Sequence, residues 1–223
     1  MHLLLTGFYD WRDLGAPPLL DRCRDNPSCR LTRGPLLPLL TAEAARRGHA
    51  LTTQNLPVTW GAAERLDLAL YDAVVHLGLG IYDRHDELWV EEGAWNGRRG
   101  VDAAGAGRDE RIGEGPQTLP PTSRAAARLQ ALHTLTLPHG FRALPKPARE
   151  SNAYLCNETH FRALTAAHAR AASERPLDAY FVHIPYAPPD AQEVGEGERA
   201  LAEAVAALVG WLVLTDPDPA RSR

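Results

Sequence analysis

Residues 151–171 read SNAYLCNETHFRALTAAHARA, and residues 179–185 read AYFVHIP. The first stretch predicts a short apolar strand that ends at Cys156, followed by a helix over residues 157–172. The second predicts a buried strand, and a helix over residues 196–213 follows it. Strands that alternate with helices predict an α/β fold, a three-layer α/β/α sandwich with a mostly parallel central sheet.

The rest of the chain continues this alternation. Strands are predicted over residues 2–6, 50–58 and 73–80, an extended segment over 87–96, and helices over 35–48, 60–72 and 122–133. Thr122 or Ser123 is the expected N-cap of the last helix. Loops are predicted over residues 9–35 and 97–121, where Pro and Gly are frequent. We expect a single domain over residues 1–215 and a disordered tail over residues 216–223.

Composition excludes several classes of function. The 223 residues are 44% hydrophobic and 23% charged, which is typical of a soluble globular protein. The formal net charge is -4, and no basic run is present that would follow a phosphate backbone. No glycine-rich phosphate loop follows the first predicted strand. We therefore expect neither nucleic acid nor a nucleotide as a partner.

The sequence does not predict a membrane role. The first residues, MHLLLTGFYD, lack the charged start and long apolar stretch of a secretory signal. The longest apolar run, residues 200–214, contains Glu203 and is short for a bilayer span. The three cysteines give no disulfide framework, so the cytoplasm is the expected compartment. Cys23 and Cys29 flank RDNPS and fit a local disulfide, half a metal site or, as favoured here, two unpaired loop thiols.

Cys156 has the placement that a nucleophilic thiol requires. Reactive groups in α/β sheets gather where strands end and helices begin. The positive end of a helix dipole lowers the pKa of a thiol, and backbone N–H groups there stabilise an oxyanion. Free cysteines are also among the most frequently buried residues, so position alone leaves a core thiol open as the alternative.

A cysteine nucleophile requires a base and a group that orients the base. His183 stands at the carboxyl end of the strand predicted after Cys156, and it is therefore expected at the same sheet edge. Glu91 and Glu92 follow the apolar strand near residue 90 and are candidates for the orienting carboxylate. The alternatives are a hydrogen-bonded core histidine and two solvated surface acids.

Five motifs together resemble the type I pyroglutamyl peptidase family. SNAYLCN at 151–157 is similar to the family's cysteine motif, and FVHIPYAP at 181–188 is similar to its histidine motif. EEGAWN at 91–96 fits a Glu-x-x-Ala-x-Asn pattern, which selects Glu91 over Glu92. TGFYDW at 6–11 and NPS at 26–28 resemble the first-strand signature and the segment after it. The resemblance extends from residue 2 to about residue 210.

The resemblance implies a cysteine peptidase that removes an N-terminal pyroglutamyl residue from peptides. Cys156 would attack the acyl carbonyl, His183 would transfer the proton, and Glu91 would orient His183. Phe8 and Trp11 would pack on the pyrrolidone ring. The family requires neither a metal nor an organic cofactor, and its members often assemble as dimers or tetramers.

Departures from the family pattern concern the substrate. Leu79 stands where the family has a glutamine that helps to bind the lactam, and the insert between Trp11 and Asn26 changes the rim of the pocket. The segment after Asn96 does not follow the family's arginine-containing run, for which Arg98 and Arg99 are candidates. Two alternatives remain: the same triad acting on another small amide or acyl cap, and a relative that binds peptide termini without cleaving them.

Overall fold

Six strands form the central sheet of the protein, in a computed structural model that describes residues 1–11, 23–80, 82–186 and 194–215. The strands of the chain are β1 (His2–Phe8), β2 (Ala50–Leu56), β3 (Ala73–Leu79), β4 (Glu87–Glu91), β5 (Ala94–Trp95), β6 (Arg98–Val101), β7 (Gly107–Glu110), β8 (Thr118–Leu119), β9 (Arg142–Lys146) and β10 (Asp178–Ile184). The α-helices are α1 (Pro27–Arg33), α2 (Leu36–Arg46), α3 (Ser123–Gln130), α4 (Leu155–Ala169) and α5 (Val194–Val209), and α5 continues into a π-turn, Gly210–Leu214.

The central sheet has the strand order β2-β1-β3-β10-β4-β9. The first four strands are mutually parallel, β4 runs antiparallel to β10, and β9 is parallel to β4. The prediction of an α/β fold with a mostly parallel sheet is therefore confirmed. The strands predicted at residues 2–6, 50–58 and 73–80 are present with small changes in their ends.

Helices cover the sheet on both faces. One face packs its leucines and valines against α1, α2, α3 and α5 in the largest apolar cluster of the described residues. The other face carries α4, whose Phe161 and Leu164 contact Leu4 and Val74 of the sheet. Thr122 caps α3 as expected, because its side chain accepts a hydrogen bond from the Ala125 amide.

The predicted strand before Cys156 is wrong. A 3-10 turn, Glu150–Asn152, precedes α4, and the helix begins at Leu155, so that Cys156 lies in its first turn. The strand that precedes this turn is β9, which the sequence pattern did not predict. Its sequence, RALPK, contains a proline, and the strand occupies an edge of the sheet, where proline is tolerated.

Residues 9–35 are not entirely loop. Helix α1 begins at Pro27, and the Asn26 side chain caps it by accepting a hydrogen bond from the Ser28 amide. Asparagine at the N-cap followed by proline at the first helical position is a favourable start for a helix. The prediction of a loop missed it because it relied on the high proline and glycine content of the segment. The helix predicted over residues 60–72 is also wrong, because this segment forms two 3-10 turns, Ala62–Arg65 and Leu68–Leu70.

The segment 97–121 contains regular structure where a loop was predicted. Strands β6 and β7 form an antiparallel hairpin in which Arg98 lies opposite Glu110. Strand β8 pairs with β5, so the excursion returns to the body of the protein. The hairpin was missed because its strands are polar and mostly exposed, which removes the alternation that marks a half-buried strand.

Cys23 and Cys29 form a disulfide, which corrects the prediction of two unpaired thiols. Helix α1 brings Cys29 back towards the segment that carries Cys23. Cys156 is the remaining free cysteine. None of the described helices is long and apolar enough to cross a membrane. The tail predicted over residues 216–223 lies outside the described residues.

Candidate active site

The candidate site lies on the sheet face that α4 covers. Successive side chains of a strand point to opposite faces, so one face of β10 carries Phe181 and His183. The parallel register pairs Phe181 with His76 and His183 with Gly78 of β3. Residues paired in this way share a face, and Gly78 therefore leaves an opening in the sheet surface beside His183.

Cys156 occupies that opening. A Cβ atom added at Gly78 would lie 2.9 Å from the Cys156 Sγ and 2.6 Å from the Phe181 Cζ. The ring of Phe181 in turn lies 4.9 Å from the ring of His183, measured between centroids. The structure thus brings the thiol and the imidazole of the predicted site to the same few residues of β3 and β10.

Glu91 binds His183 directly. The Glu91 Oε1 lies 2.8 Å from the His183 Nε2, and both side chains are largely buried. Because β4 is antiparallel to β10, with Trp89 opposite His183, Glu91 is a diagonal neighbour on the same face. Glu92 is exposed, in agreement with the choice of Glu91.

The second ring nitrogen of His183 is available. Its Nδ1 is buried and finds no hydrogen-bond partner in the described part of the chain. With Nε2 bound to a carboxylate, the hydrogen bond favours a tautomer in which Nε2 carries the proton and Nδ1 is an acceptor. A neutral His183 in this state is able to accept a proton at Nδ1.

Burial and, to a smaller extent, the charge of Glu91 raise the pKa of the Cys156 thiol to about 12. The Cys156 backbone N–H acts in the opposite direction by donating to the sulfur. The helix start was expected to lower this pKa, but desolvation by the surrounding apolar side chains outweighs it. The resting thiol is therefore protonated, and attack on a carbonyl requires a base.

Two further buried histidines lie on the same face. The His76 Nδ1 and the Thr6 Oγ1 are 2.7 Å apart, whereas the His76 Nε2 and both ring nitrogens of His160 have no partner among the described residues. Burial lowers the pKa of each imidazole to about 3. Both rings lie 6.0 Å from the Phe181 ring. His160 stands four residues after Cys156. Residues with this spacing share a face of a helix, and the spacing is the signal in the sequence that could have identified His160 as a neighbour of the site.

Apolar side chains surround the sulfur. Phe8, Ala62 and Phe181 form a buried cluster against which Val58 and Cys156 pack. This places Phe8, a predicted substrate-binding residue, beside the candidate nucleophile. Ala62 and Val58 were not predicted, because they come from the segment between β2 and β3 that lacks periodic structure.

The other two predicted substrate-binding residues, Trp11 and Leu79, do not belong to the apolar cluster that contains Phe8 and contacts Cys156. Trp11 is half-buried and lies three residues beyond Phe8. Leu79 pairs with Ile184, which belongs to the apolar cluster on the opposite face of the sheet. Leu79 therefore points away from the face that carries Cys156, and the structure does not bring the two together.

The residues that follow Cys156 attach the hairpin to α4. The Asn157 side chain accepts from the Trp95 amide and donates to the Trp95 and Gly97 carbonyls. The buried carboxylate of Glu158 binds the Gly61 amide at 2.9 Å and Arg98 at 2.8 Å. Arg98 thus braces the first turn of α4. These contacts join residues 60 to 97 positions apart, and sequence spacing gave no signal for them.

The site suits acyl transfer by a thiol. A search of the described residues finds no group of His, Cys, Asp and Glu side chains able to hold a metal ion. The elements present are a protonated thiol, an imidazole with one accepting nitrogen, and a carboxylate that orients the imidazole. Groups of these three kinds are what a thiol acyl-transfer site requires.

Solved structures of pyrrolidone carboxyl peptidases have the same fold. A mutant of the peptidase from the hyperthermophile Pyrococcus furiosus is 24% identical, with a TM-score of 0.66 over 96% of this chain and 99% of that chain. Another mutant is 25% identical, with a TM-score of 0.61 over 94% and 97% of the two chains. The peptidase solved together with its Cys-free mutant is 23% identical, with a TM-score of 0.64 over 95% and 98%.

The protein therefore has the fold of the pyrrolidone carboxyl peptidases along nearly its whole length. The resemblance predicted from the motifs is confirmed at the level of the fold. No family model matches the chain, and no curated protein sequence matches it.

Proposed function

We propose that the protein is a thiol peptidase that removes an N-terminal pyroglutamyl residue from peptides. The observation that carries the proposal is the His183–Glu91 pair beside Gly78, with the Cys156 sulfur lying over that glycine. The shared fold with pyrrolidone carboxyl peptidases supports the same substrate class.

The reaction begins with a protonated thiol. As the Cys156 sulfur attacks the acyl carbonyl carbon, its proton passes to the His183 Nδ1, and the carbonyl oxygen becomes an oxyanion. In this proposal the backbone N–H of Cys156, which donates to the sulfur at rest, donates to that oxygen instead. Glu91 stabilises the imidazolium that forms.

The tetrahedral intermediate then collapses. The carbon–nitrogen bond breaks, and the imidazolium of His183 returns its proton to the leaving amine. A water molecule attacks the thioester, with His183 again accepting a proton, and the acid leaves as the sulfur recovers its hydrogen. Each proton is returned, so no cofactor and no oxidant is needed.

Hydrolysis of a pyroglutamyl coumarin amide tests the proposal. We expect the protein to release the fluorophore, and Cys156→Ser to reduce kcat by at least about a thousandfold, because an alcohol is a much weaker nucleophile in a site built for a thiol. Thr165→Ser, on an outward-facing position of the same helix, is the matched control and should retain full activity. Unchanged turnover by Cys156→Ser would refute the mechanism.

The same triad acting on a different acyl cap is the second candidate. The walls observed around Cys156 are apolar, and Leu79, which replaces the expected glutamine, faces away from them. An apolar wall selects acyl caps by size more than by hydrogen bonding. A series of capped coumarin amides decides between the two candidate functions. If the first proposal holds, the amide with the pyroglutamyl cap should be hydrolysed faster than those with acetyl, prolyl and cyclopentanoyl caps.

Compartment and assembly are part of the proposal. We expect a cytoplasmic homo-oligomer, a dimer or tetramer, on the basis of the family resemblance. A Cys23–Cys29 disulfide is unusual in the cytosol, where thiols are usually reduced, so the redox state of these two cysteines in the cell tests the expected compartment. Alkylation of thiols in freshly lysed cells shows whether Cys23 and Cys29 are reduced or joined in a disulfide. Light scattering of the purified protein measures its oligomeric state.

A further inference from the structure

The rim of the site carries exposed apolar side chains. Five large hydrophobic residues are exposed in the described part of the chain: Leu39, Leu70, Val101, Tyr154 and Tyr186. Val101 is 61% exposed and Tyr154 is 39% exposed, and the two touch, since the Tyr154 hydroxyl donates to the Val101 carbonyl at 2.8 Å. We name Val101, Tyr154 and the adjoining Trp60 the rim patch.

The rim patch is built before any ligand arrives. The Tyr154 ring meets the Trp60 ring edge-on, with centroids 5.4 Å apart. Gly100 lies beneath the tyrosine at φ +120°, and a Cβ added there would lie 3.2 Å from the Tyr154 Cδ2. Only a residue without a side chain permits this approach, so the exposed rings are held in place and little entropy is lost on binding.

A buried carboxylate fastens the patch to the protein. Asp102, which is 7% exposed, accepts hydrogen bonds from the amides of Trp60, Ala104 and Ala106. The Trp60 Nε1 donates to the Ala106 carbonyl at 2.9 Å. These bonds join the β6–β7 hairpin to the segment that follows β2, and they fix the orientation of the Trp60 ring.

The rim patch adjoins the candidate nucleophile. Tyr154 stands two residues before Cys156, and the Arg99 amide donates to the Ala153 carbonyl, so β6 runs directly along the start of α4. Tyr154, at the N-cap of α4, and Cys156, in its first turn, are therefore held by the same segment of the chain.

The position of the patch defines which part of a substrate it meets. In the proposed reaction, the acyl group on Cys156 would lie against the buried cluster that contains Phe8 and Phe181, and the leaving peptide would extend towards the solvent-exposed rim. The charged residue next to the patch, Arg99, is held in ion pairs with Asp109 and Glu150, and the three side chains of the patch itself carry no charge. An uncharged, apolar rim fits an apolar side chain.

We infer that the rim patch is a subsite for the leaving peptide, and that it selects an aromatic or large aliphatic side chain at the residue directly after the scissile bond. This inference rests on the proposed function, to which it adds a substrate class: capped peptides whose second residue is apolar.

A pair of capped dipeptide amides tests the selectivity. With phenylalanine or glycine after the pyroglutamyl cap, we expect kcat/KM to favour phenylalanine by about tenfold, as a partly open apolar surface permits. Val101→Asp should reduce the ratio to near one, whereas Ala172→Asp, which adds the same charge at an exposed position after α4, should retain it. A ratio near one in the unchanged protein, or one that Val101→Asp does not alter, overturns the inference.

A second measurement separates the inference from the proposed function. Phenylalaninamide and glycinamide, which represent the leaving amine, are compared for their ability to slow alkylation of Cys156 by iodoacetamide. We expect protection by phenylalaninamide alone, with its loss in Val101→Asp and its retention in Ala172→Asp. Equal protection by the two amides overturns the rim subsite. If no capped peptide is cleaved, the proposed function fails and this protection assay still decides the subsite.

Discussion

The two faces of the central sheet differ in what they bury. The face under α1, α2, α3 and α5 is packed with leucine, valine and alanine. The face under α4 buries Thr6, His76, His160 and Glu91 as well as its apolar residues, and it also carries the partly buried His183. Of the six buried side-chain atoms without a hydrogen-bond partner in the described residues, four belong to the three histidines of that face.

This difference assigns the two faces different roles. An unpaired buried polar atom destabilises a fold by about 1–3 kcal/mol, so a purely structural face would avoid it. The aliphatic face supplies stability, although the buried Tyr180 hydroxyl on it has no hydrogen-bond partner among the described residues. The α4 face gives up stability to hold imidazoles and a thiol in a dry environment, as functional sites commonly do.

The largest expected effect is on the α4 face. His183→Ala removes the base, and we expect kcat towards a pyroglutamyl amide to fall by about 10³–10⁵-fold, because the thiol with its raised pKa loses the group that takes its proton. His168→Ala, at an exposed position of α4, should leave kcat unchanged. Steady-state kinetics of both variants measures these effects. If His183→Ala kept more than a tenth of the activity of the unchanged protein, the assignment of His183 as the base would be contradicted.

The reverse result is expected on the aliphatic face. Leu77→Ala removes a fully buried side chain from β3 and should lower the free energy of unfolding by about 3 kcal/mol. The turnover of each folded molecule should change by less than about twofold, because Leu77 faces away from Cys156. Urea unfolding and active-site titration measure the two quantities, and a large loss of turnover without a loss of stability would be inconsistent with the division.

Removal of the charge on the orienting carboxylate has a smaller effect. Glu91→Gln keeps the size of the side chain but leaves the imidazolium of His183 without its counter-charge, and kcat should fall by about a hundredfold. The matched control is Glu92→Gln, one residue along the chain and exposed, which should be silent. Equal effects of the two substitutions would remove Glu91 from the site.

The pH dependence of alkylation tests the state of the thiol. Because burial raises the pKa of Cys156 to about 12, thiolate is the minor form at pH 7–9, and its fraction rises about tenfold for each pH unit. The rate of reaction with iodoacetamide should rise in the same proportion, and the rate in urea should be higher at each pH. A rate that is independent of pH over this range would show a thiolate stabilised at rest.

The smallest effect concerns His160. His160→Leu replaces two unpartnered ring nitrogens with carbon and should raise the free energy of unfolding by about 1 kcal/mol. His168→Leu, on the exposed side of the same helix, should have no comparable effect. Stabilisation by the first variant, measured in urea, would support a polar face maintained for function, and marked destabilisation would instead show that His160 has a structural partner.

Part of this organisation could be predicted from local sequence. Strands β1, β3 and β10 are short apolar runs, and the ends of β3 and β10 locate the edge at which Cys156 and His183 meet. The Glu91 motif identified the partner of His183. The antiparallel direction of β4 was not accessible, because it depends on how the chain crosses the sheet and not on the pattern within the strand.

Other features depend on contacts distant in the sequence. The Thr6–His76 hydrogen bond joins residues seventy apart, and a single histidine in an apolar strand gives no sign of such a partner. The raised pKa of Cys156 comes from side chains of several segments, whereas the sequence showed only the helix start. The Asn26 cap of α1 was visible, but the proline-rich composition around it obscured the helix.

Covalent labelling tests the central claim most directly. A pyroglutamyl ketone with a leaving group on its α-carbon is incubated with the protein, and the labelled peptide is identified by mass spectrometry. The label should lie on Cys156, and labelling should be lost in Cys156→Ser and strongly slowed in His183→Ala. A label on another residue, or continued hydrolysis of the coumarin amide by a fully labelled protein, would contradict the role of this thiol as the nucleophile.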